Sequence, residues 1–148
     1  MYVDDLIVTR ARAEDIDGFK RETAARFKMS DLGALSYYLG IEVRQGKQSI
    51  SLGQRAYAEK LLERGGMAEF KPCATPMDEQ LKLSKHSTAA KVDATRYRSI
   101  VGGLRYLTHT RPDIAFAVGY VSRFMEDPRE GHWSTVKMLL RHVKGTFG

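Results

Sequence analysis

The sequence has a single cysteine, Cys73, among its 148 residues. One cysteine excludes an internal disulfide and any zinc site built from several cysteines, and it suits a reducing compartment. The four histidines, His86, His109, His132 and His142, are scattered along the chain and lack the spacing of metal ligands. Neither a disulfide framework nor a zinc site is therefore expected to hold this protein together.

Long apolar runs are also lacking, because no stretch approaches the ~20 residues that a transmembrane helix needs. The first residues do not show a basic segment followed by an apolar one, so no secretory signal is predicted. These two absences, together with the lone cysteine, predict an intracellular protein with no membrane partner.

The composition is otherwise ordinary, with 43% hydrophobic and 28% charged residues, but the charge is uneven. From Arg96 to the end there are nine Lys or Arg and four Asp or Glu. The residues before Arg96 contain fifteen Lys or Arg and fourteen Asp or Glu, so their charges nearly balance. A basic C-terminal part indicates a polyanionic partner, nucleic acid first, and a solvated basic surface is the alternative.

The stretch Tyr2–Val8 carries the most specific chemical pattern. Its adjacent carboxylates, Asp4 and Asp5, stand between residues that favour strands. The pattern predicts a strand, a tight turn that holds both Asp residues, and a returning strand. Clustered carboxylates beside a phosphate substrate suit Mg²⁺, a hard ion that prefers oxygen ligands. The alternative is a surface turn whose carboxylates only meet water.

A helix and a hairpin are predicted after this stretch. Residues 14–28 show an amphipathic helical pattern, and this helix is predicted to cover the sheet begun by Asp4–Val8. Residues 35–43 are predicted to form a strand interrupted by Gly40, where a bulge or another backbone comes close. Residues 49–52 return as the second strand of a hairpin.

The composition changes between residues 70 and 94, where two prolines and a polar run predict an extended linker. A helix is predicted before the linker, at residues 54–64, and three helices with apolar residues at helical spacing are predicted after it. The chain is therefore predicted to be an α+β protein with a strand-containing unit at 1–69 and a helical unit at 95–148.

Short sequence blocks lie along the whole chain. They are Tyr2-Val-Asp-Asp-Leu-Ile-Val8, Met29-Ser-Asp-Leu-Gly33, Tyr38-Leu-Gly-Ile-Glu-Val43, Thr75-Pro-Met77, Tyr97-Arg-Ser-Ile-Val-Gly102, Thr110-Arg-Pro-Asp-Ile114, Ser122-Arg-Phe-Met125, His132-Trp133 and Lys144-Gly-Thr146. In this order the blocks resemble the reverse transcriptases of copia-type LTR retrotransposons. Jointly they are highly specific, although each block is short.

The resemblance implies part of a right-hand polymerase, with half of the palm followed by a helical thumb and connecting helices. It implies RNA-directed DNA polymerase chemistry, in which two Mg²⁺ or Mn²⁺ ions assist nucleotidyl transfer. Asp4 and Asp5 would be catalytic and metal-binding carboxylates, and Tyr2 would lie beside the incoming nucleotide and the primer end. The implied partners are an RNA/DNA template–primer duplex and, with the upstream region, a deoxynucleotide. The implied location is a cytoplasmic particle or the nucleus.

Two further elements gain a role from the resemblance. The hairpin around Leu39, Gly40 and Ile41 is similar to a primer grip, and the helix that contains Arg98, Gly102 and Tyr106 is similar to a thumb helix. These last three residues recur about one helical turn apart, so they share one line on the helix. A cation for phosphate, a glycine for close approach and an aromatic ring for sugar packing fit a duplex. The alternative is a helix–helix contact that needs a small residue.

The family's further palm Asp and its nucleotide-binding fingers precede the Tyr-Val-Asp-Asp box, and its ribonuclease H domain follows Lys-Gly-Thr. Since the 148 residues contain none of these, we expect a fragment that is inactive by itself. A non-catalytic nucleic-acid-binding remnant and a recruited interaction fragment are the alternatives.

Overall fold

The structure, a computed structural model, describes residues 6–10, 12–78 and 80–147. These residues form an α+β protein, as predicted, with one three-stranded antiparallel sheet and five α-helices. The elements are α1 (Ala13–Arg26), β1 (Tyr37–Tyr38), β2 (Ile41–Gln45), β3 (Ile50–Gly53), α2 (Arg55–Gly65), α3 (Ala94–Leu107), a 3₁₀ turn (Pro112–Ile114), α4 (Ala115–Ser122) and α5 (Glu130–Gly145).

The sheet differs from its prediction at Gly40. Residues 35–43 do not form one interrupted strand, because β1 and β2 are antiparallel neighbours in which Tyr38 pairs with Ile41. Leu39 and Gly40 form the two-residue turn between them, and both have positive φ, 48° and 83°. Two consecutive positive φ angles match the twist of a tight hairpin, which explains why glycine stands at the second position. The second hairpin, between β2 and β3, is confirmed.

The N-terminal helix is the second difference. Residues Leu6–Arg10 form no strand, and α1 buries none of its side chains, with Phe19 at 42% and Phe27 at 63% exposure. The prediction that this helix covers a sheet begun by Asp4–Val8 is therefore wrong within the described part of the chain. The amphipathic pattern fixed the helix itself, but a pattern does not supply the surface that a helix packs against.

The hydrophobic core lies among α2, α3, α4 and α5. On α3 the predicted helical spacing is confirmed, because every apolar residue that defined it is buried. The buried Tyr97 hydroxyl donates a hydrogen bond of 2.9 Å to the Val121 carbonyl at the end of α4. The core residues of α3 are Tyr97, Ile100, Val101, Leu104 and Leu107, and those of α2 are Ala58, Leu61 and Leu62.

This core bears on the predicted division at residues 70–94. Helix α2 stands before that linker, yet it packs in the same core as the three helices that follow it. Two glycines allow the close packing: a Cβ on Gly65 would lie 2.5 Å from a Leu140 methyl of α5, and a Cβ on Gly103 would lie 2.5 Å from a Leu61 methyl of α2. The division into units stays a prediction, but the described residues on its two sides share one core.

The predicted linker, residues 70–94, corresponds to an irregular strap along the helices, residues 67–93, and Ala94 already belongs to α3. Apart from the isolated bridge between Lys91 and Arg129, the described residues of the strap form no helix or strand, as predicted. Side chains of α5 hold it by its carbonyl groups: Arg141 Nε donates to Lys71 O at 2.7 Å, and His142 Nδ1 donates to Cys73 O at 3.2 Å. These bonds satisfy backbone groups that have no partner within the strap itself.

His132 connects the strap to the start of α5. Its Nδ1 accepts a 2.9 Å hydrogen bond from the Arg129 backbone N–H, so it takes the place of the acidic residue in a helix capping box. Its Nε2 donates to Ser84 O at 3.1 Å, and its ring stacks on Phe124 with centroids 4.0 Å apart. Burial lowers the pKa of His132 from its ordinary 6.5, since desolvation disfavours the charged ring.

This geometry predicts a loss of stability in mild acid. The folded state favours the neutral ring, so its stabilising effect is complete above the ordinary pKa of 6.5 and decreases as the pH falls below it. The urea midpoint of unfolding should fall between pH 7.5 and pH 5.5. In His132→Gln the fall should be smaller, because no ring titrates, while the free energy of unfolding at pH 7.5 drops by about 1 kcal/mol for the lost stacking on Phe124.

The control is His86→Gln, because His86 is exposed. This variant should retain the pH dependence of the parent protein. If His132→Gln and the parent lose stability in parallel between these two pH values, the titrating group is not His132.

Candidate nucleic-acid interface

The line formed by Arg98, Gly102 and Tyr106 lies on the side of α3 that faces away from the core. Arg98 and Gly102 are exposed and Tyr106 is half-buried. Arg98 Nη1 donates to the Met125 carbonyl at 3.3 Å, and its other guanidinium donors remain available for a ligand. Nothing described lies within 4 Å of where a Cβ on Gly102 would stand, so the backbone there is open to a close approach.

The helix–helix alternative for this line is resolved by the neighbouring glycine. Gly103, not Gly102, contacts another helix, with Leu61 Cδ1 and the Tyr57 hydroxyl at 2.5 Å and 3.2 Å from a Cβ placed on it. Consecutive residues on a helix point about 100° apart, so one glycine serves packing while the other faces outward. Sequence reasoning did not separate their roles.

Tyr106 joins α3 to the hairpin turn between β1 and β2. Its hydroxyl donates a hydrogen bond to the carbonyl of Leu39, and a Cβ on Gly40 would lie 3.2 Å from that hydroxyl oxygen. Gly40 therefore does mark a close approach, but by a side chain and not by another backbone. The predicted primer-grip-like residues Leu39 and Gly40 thus meet the last residue of the α3 line, and Ile41 follows as the first residue of β2.

Two residues that the sequence did not single out for this site flank Tyr106. The Tyr57 ring lies edge-on to it at 5.0 Å between centroids, and the His109 ring lies at 5.5 Å. Tyr57 was predicted only as part of the helix at residues 54–64. The signal that could have found it is its hydroxyl, because a half-buried tyrosine on a helix usually directs that group to a polar neighbour.

The basic residues of the C-terminal part differ in whether a carboxylate already neutralises them. Arg111 and Arg129 each hold an aspartate two positions away at 2.6 Å, and these guanidinium groups lower the pKa of both carboxyls. Arg98 and Arg105 of α3 form no salt bridge within the described ranges. The cations that are left for a polyanion therefore include two on the exposed side of α3.

The predicted catalytic residues Tyr2, Asp4 and Asp5 lie outside the described residues. Within residues 6–10, 12–78 and 80–147, no group of three or more His, Cys, Asp or Glu side chains could hold a metal ion. The adjacent carboxylates at positions 4 and 5 have the hard oxygen donors that Mg²⁺ requires. The fit of a metal ion to this chain thus rests on the chemistry of these two side chains.

Across the same described ranges, no helix is long and apolar enough to cross a bilayer. The fold and the surface together define an α+β protein in which the exposed, arginine-bearing side of a core helix meets a tight hairpin turn.

The comparisons with known proteins give the family. The family described as "Reverse transcriptase (RNA-dependent DNA polymerase)" matches residues 1–79. Retrovirus-related Pol polyproteins are similar to nearly the whole chain: that of transposon RE2 from Arabidopsis thaliana is 40% identical over 146 residues, and that of transposon TNT 1-94 from Nicotiana tabacum is 40% identical over 157. The chain belongs to the reverse transcriptase family, on its copia-type retrotransposon branch, as the sequence blocks predicted.

The chain spans only part of these relatives. The region aligned with the RE2 polyprotein includes 99% of this chain but only 10% of the polyprotein. For the TNT 1-94 polyprotein the aligned share is 12%. An uncharacterized mitochondrial protein of Arabidopsis thaliana is 40% identical over 147 residues, which are 99% of this chain and 61% of that protein. No solved structure matches the chain.

Proposed function

We propose that this chain provides the second half of the palm and the thumb of a retrotransposon reverse transcriptase, and that it holds an RNA/DNA template–primer duplex. The observation that carries the proposal is the contact of Tyr106 with Leu39, because it joins the turn and the helix to which the resemblance gives contacts with the template–primer duplex. A duplex resting on α3 would have Arg98 for a phosphate and the bare backbone of Gly102 for close approach. The hairpin turn would lie at one end of that line.

The same proposal assigns catalysis to the first residues. Asp4 and Asp5 would bind the two Mg²⁺ or Mn²⁺ ions of nucleotidyl transfer, with Tyr2 beside the incoming deoxynucleotide and the primer end. The metal ions would stabilise the attacking and leaving oxygens. Because the reaction also needs the family's further palm Asp and its fingers, we propose that the 148 residues bind duplex but do not extend a primer alone. We also propose an intracellular location.

The second candidate is a nucleic-acid-binding remnant without chemistry, or a fragment recruited for an interaction. The similarity to a mitochondrial protein of which the chain spans 61% supports it, since that relative is far shorter than the polyproteins. Duplex binding that depends on the α3 line agrees with the polymerase fragment and the binding remnant alike. Primer extension in a longer polypeptide then separates these two.

The test of the interface uses two exposed helical glycines. Gly102→Val should weaken duplex binding, because a side chain there holds α3 away from the groove, and it should leave the salt dependence nearly unchanged. Gly119→Val in α4 is the matched control, since nothing described lies within 4 Å of its Cβ position either. The measurement is a fluorescence-anisotropy titration with a labelled RNA/DNA duplex at several salt concentrations, with folding checked by circular dichroism.

Arg98→Ala examines the charge on the same line. If Arg98 meets a phosphate, the log–log slope of affinity against salt should become shallower by about 0.9. Arg21→Ala on the exposed α1 should not change it. Folded Gly102→Val and Arg98→Ala proteins that bind duplex as the parent does would show that this side of α3 is merely a surface.

A further inference from the structure

A cavity of ≈330 Å³ lies where the sheet meets the start of α2 and the end of the described chain. Its apolar walls come from Leu52 of β3, Ala58 of α2, Leu107 of α3 and the aromatic ring of Phe147. Ligand sites for small molecules begin at about this size, and they combine apolar walls with a few polar groups. This cavity is separate from the exposed α3 line, which contributes none of its lining residues.

Gln54 supplies the polar group that is hardest to explain without a ligand. It is 3% exposed, and it lines the cavity. Its Oε1 accepts a 2.9 Å hydrogen bond from the Thr110 hydroxyl, whereas its Nε2 has no partner among the described residues. A buried amide donor without an acceptor is unfavourable, and a ligand acceptor would satisfy it.

Three arginines, Arg44, Arg55 and Arg111, add positive charge to the lining, and Arg111 is already paired with Asp113 at 2.6 Å. Arg44 is exposed, and its nearest carboxylate, Glu42, lies at 3.8 Å, which is longer than a hydrogen bond. Arg55 lies 5.9 Å from the centre of the Phe147 ring and holds Glu59 at 3.0 Å. A planar guanidinium is well suited to a phosphate, and an arginine beside an aromatic ring is a common setting for a stacked base.

These observations favour a ligand that is both flat and anionic. A simple anion fits less well, because Glu42 also lines the cavity and aliphatic and aromatic side chains form part of its walls. A neutral apolar molecule fits less well too, because it would leave the Gln54 donor and the Arg44 guanidinium unmatched. An amide side chain reads the edge of a base, and an aromatic ring stacks on its face.

We propose that this cavity binds one unpaired nucleotide, with the base against Phe147 and Leu52, the Gln54 amide on the base edge and Arg44 on the phosphate. The nucleotide is either free or part of a single strand. The inference goes beyond the proposed duplex contact on α3 and does not depend on it.

The experiment is calorimetric titration of the 148-residue chain with AMP, CMP, GMP and UMP, and with adenosine, inorganic phosphate and a short single-stranded oligonucleotide. We expect saturable binding of at least one mononucleotide and no binding of phosphate alone. Arg44→Gln should weaken mononucleotide binding roughly fivefold and leave nucleoside binding unchanged. Arg26→Gln, which changes an arginine outside the lining, should have no effect.

Gln54→Glu and Phe147→Leu examine the base. Gln54→Glu keeps the acceptor for Thr110 but removes the free donor, so both AMP and adenosine should bind more weakly, and Phe147→Leu should have the same effect. Tighter binding of the oligonucleotide than of any mononucleotide would identify a single strand as the source, and the reverse order would identify free nucleotide. Either order supports the proposal.

Three results would overturn it: no saturable binding of any mononucleotide or oligonucleotide, full competition by inorganic phosphate, or binding that Arg44→Gln and Phe147→Leu both leave unchanged. Because Arg44 is exposed, Arg44→Gln should fold normally. It therefore tests the proposal even if Gln54→Glu fails to fold. Gly102→Val should leave mononucleotide binding intact, so failure of the duplex proposal and failure of this one are distinguishable.

Discussion

Asp4→Asn and Asp5→Asn are each expected to reduce primer extension by at least ~100-fold in a polypeptide that joins these 148 residues to an upstream reverse transcriptase segment. An amide has no negative charge to offer a metal ion, and metal stabilisation of the transferring phosphoryl group contributes several kcal/mol, with about 1.4 kcal/mol for each tenfold in rate. The measurement is single-nucleotide extension of a labelled primer on an RNA template, with Mg²⁺ and separately with Mn²⁺.

The control is Asp17→Asn, which changes an exposed carboxylate on α1. It should extend primers at the parent rate. The 148 residues alone should show no extension with any variant. Extension by the short chain would contradict the proposed dependence on an upstream segment, and unimpaired Asp4→Asn and Asp5→Asn enzymes would remove these residues from the active site.

Alanine substitutions at the adjacent glycines of α3 are expected to change stability in opposite directions. Gly103→Ala places a methyl group 2.5 Å from Leu61 Cδ1, and Leu61 is 0% exposed, so its side chain must shift within the core and cannot turn out into solvent. Overpacking of this kind destabilises by about 1–3 kcal/mol, of which better helix propensity offsets up to ~1 kcal/mol. Gly102→Ala meets nothing described within 4 Å and should stabilise by up to ~1 kcal/mol.

Urea unfolding followed by circular dichroism measures the difference. The two midpoints should differ by about 1 M, since small proteins lose about 1–3 kcal/mol of stability per molar urea. Equal midpoints would show that α2 and α3 separate easily, and they would remove the reason for assigning packing to Gly103 and ligand approach to Gly102.

Several features were decided within single elements and were therefore predictable. The apolar residues of α3 recur at helical spacing, and all of them are buried. The end of α2 lies within one residue of the predicted position 64, because the helix ends at Gly65 and Gly66 follows it with a φ of 71°. The family was likewise predictable, because the order of short sequence blocks along the chain identifies it.

The site was only partly predictable. The residues of the α3 line and of the hairpin turn were chosen separately, and nothing in their spacing showed that Tyr106 would donate to Leu39. The turn itself was missed because a glycine inside an apolar run is compatible with a bulge as well as with a hairpin, and only the pairing of Tyr38 with Ile41 decides between them.

The sequence by itself determined which residues form helices, which of their sides are apolar, and to which family the chain belongs, because each of these depends on local order along the chain. The tertiary structure alone decided that α1 stays exposed and that α2 shares the core of the later helices. It also decided that Gly103 packs while Gly102 faces outward. The physical reason is that periodicity defines one surface of an element, whereas packing depends on a second surface that is distant in the sequence.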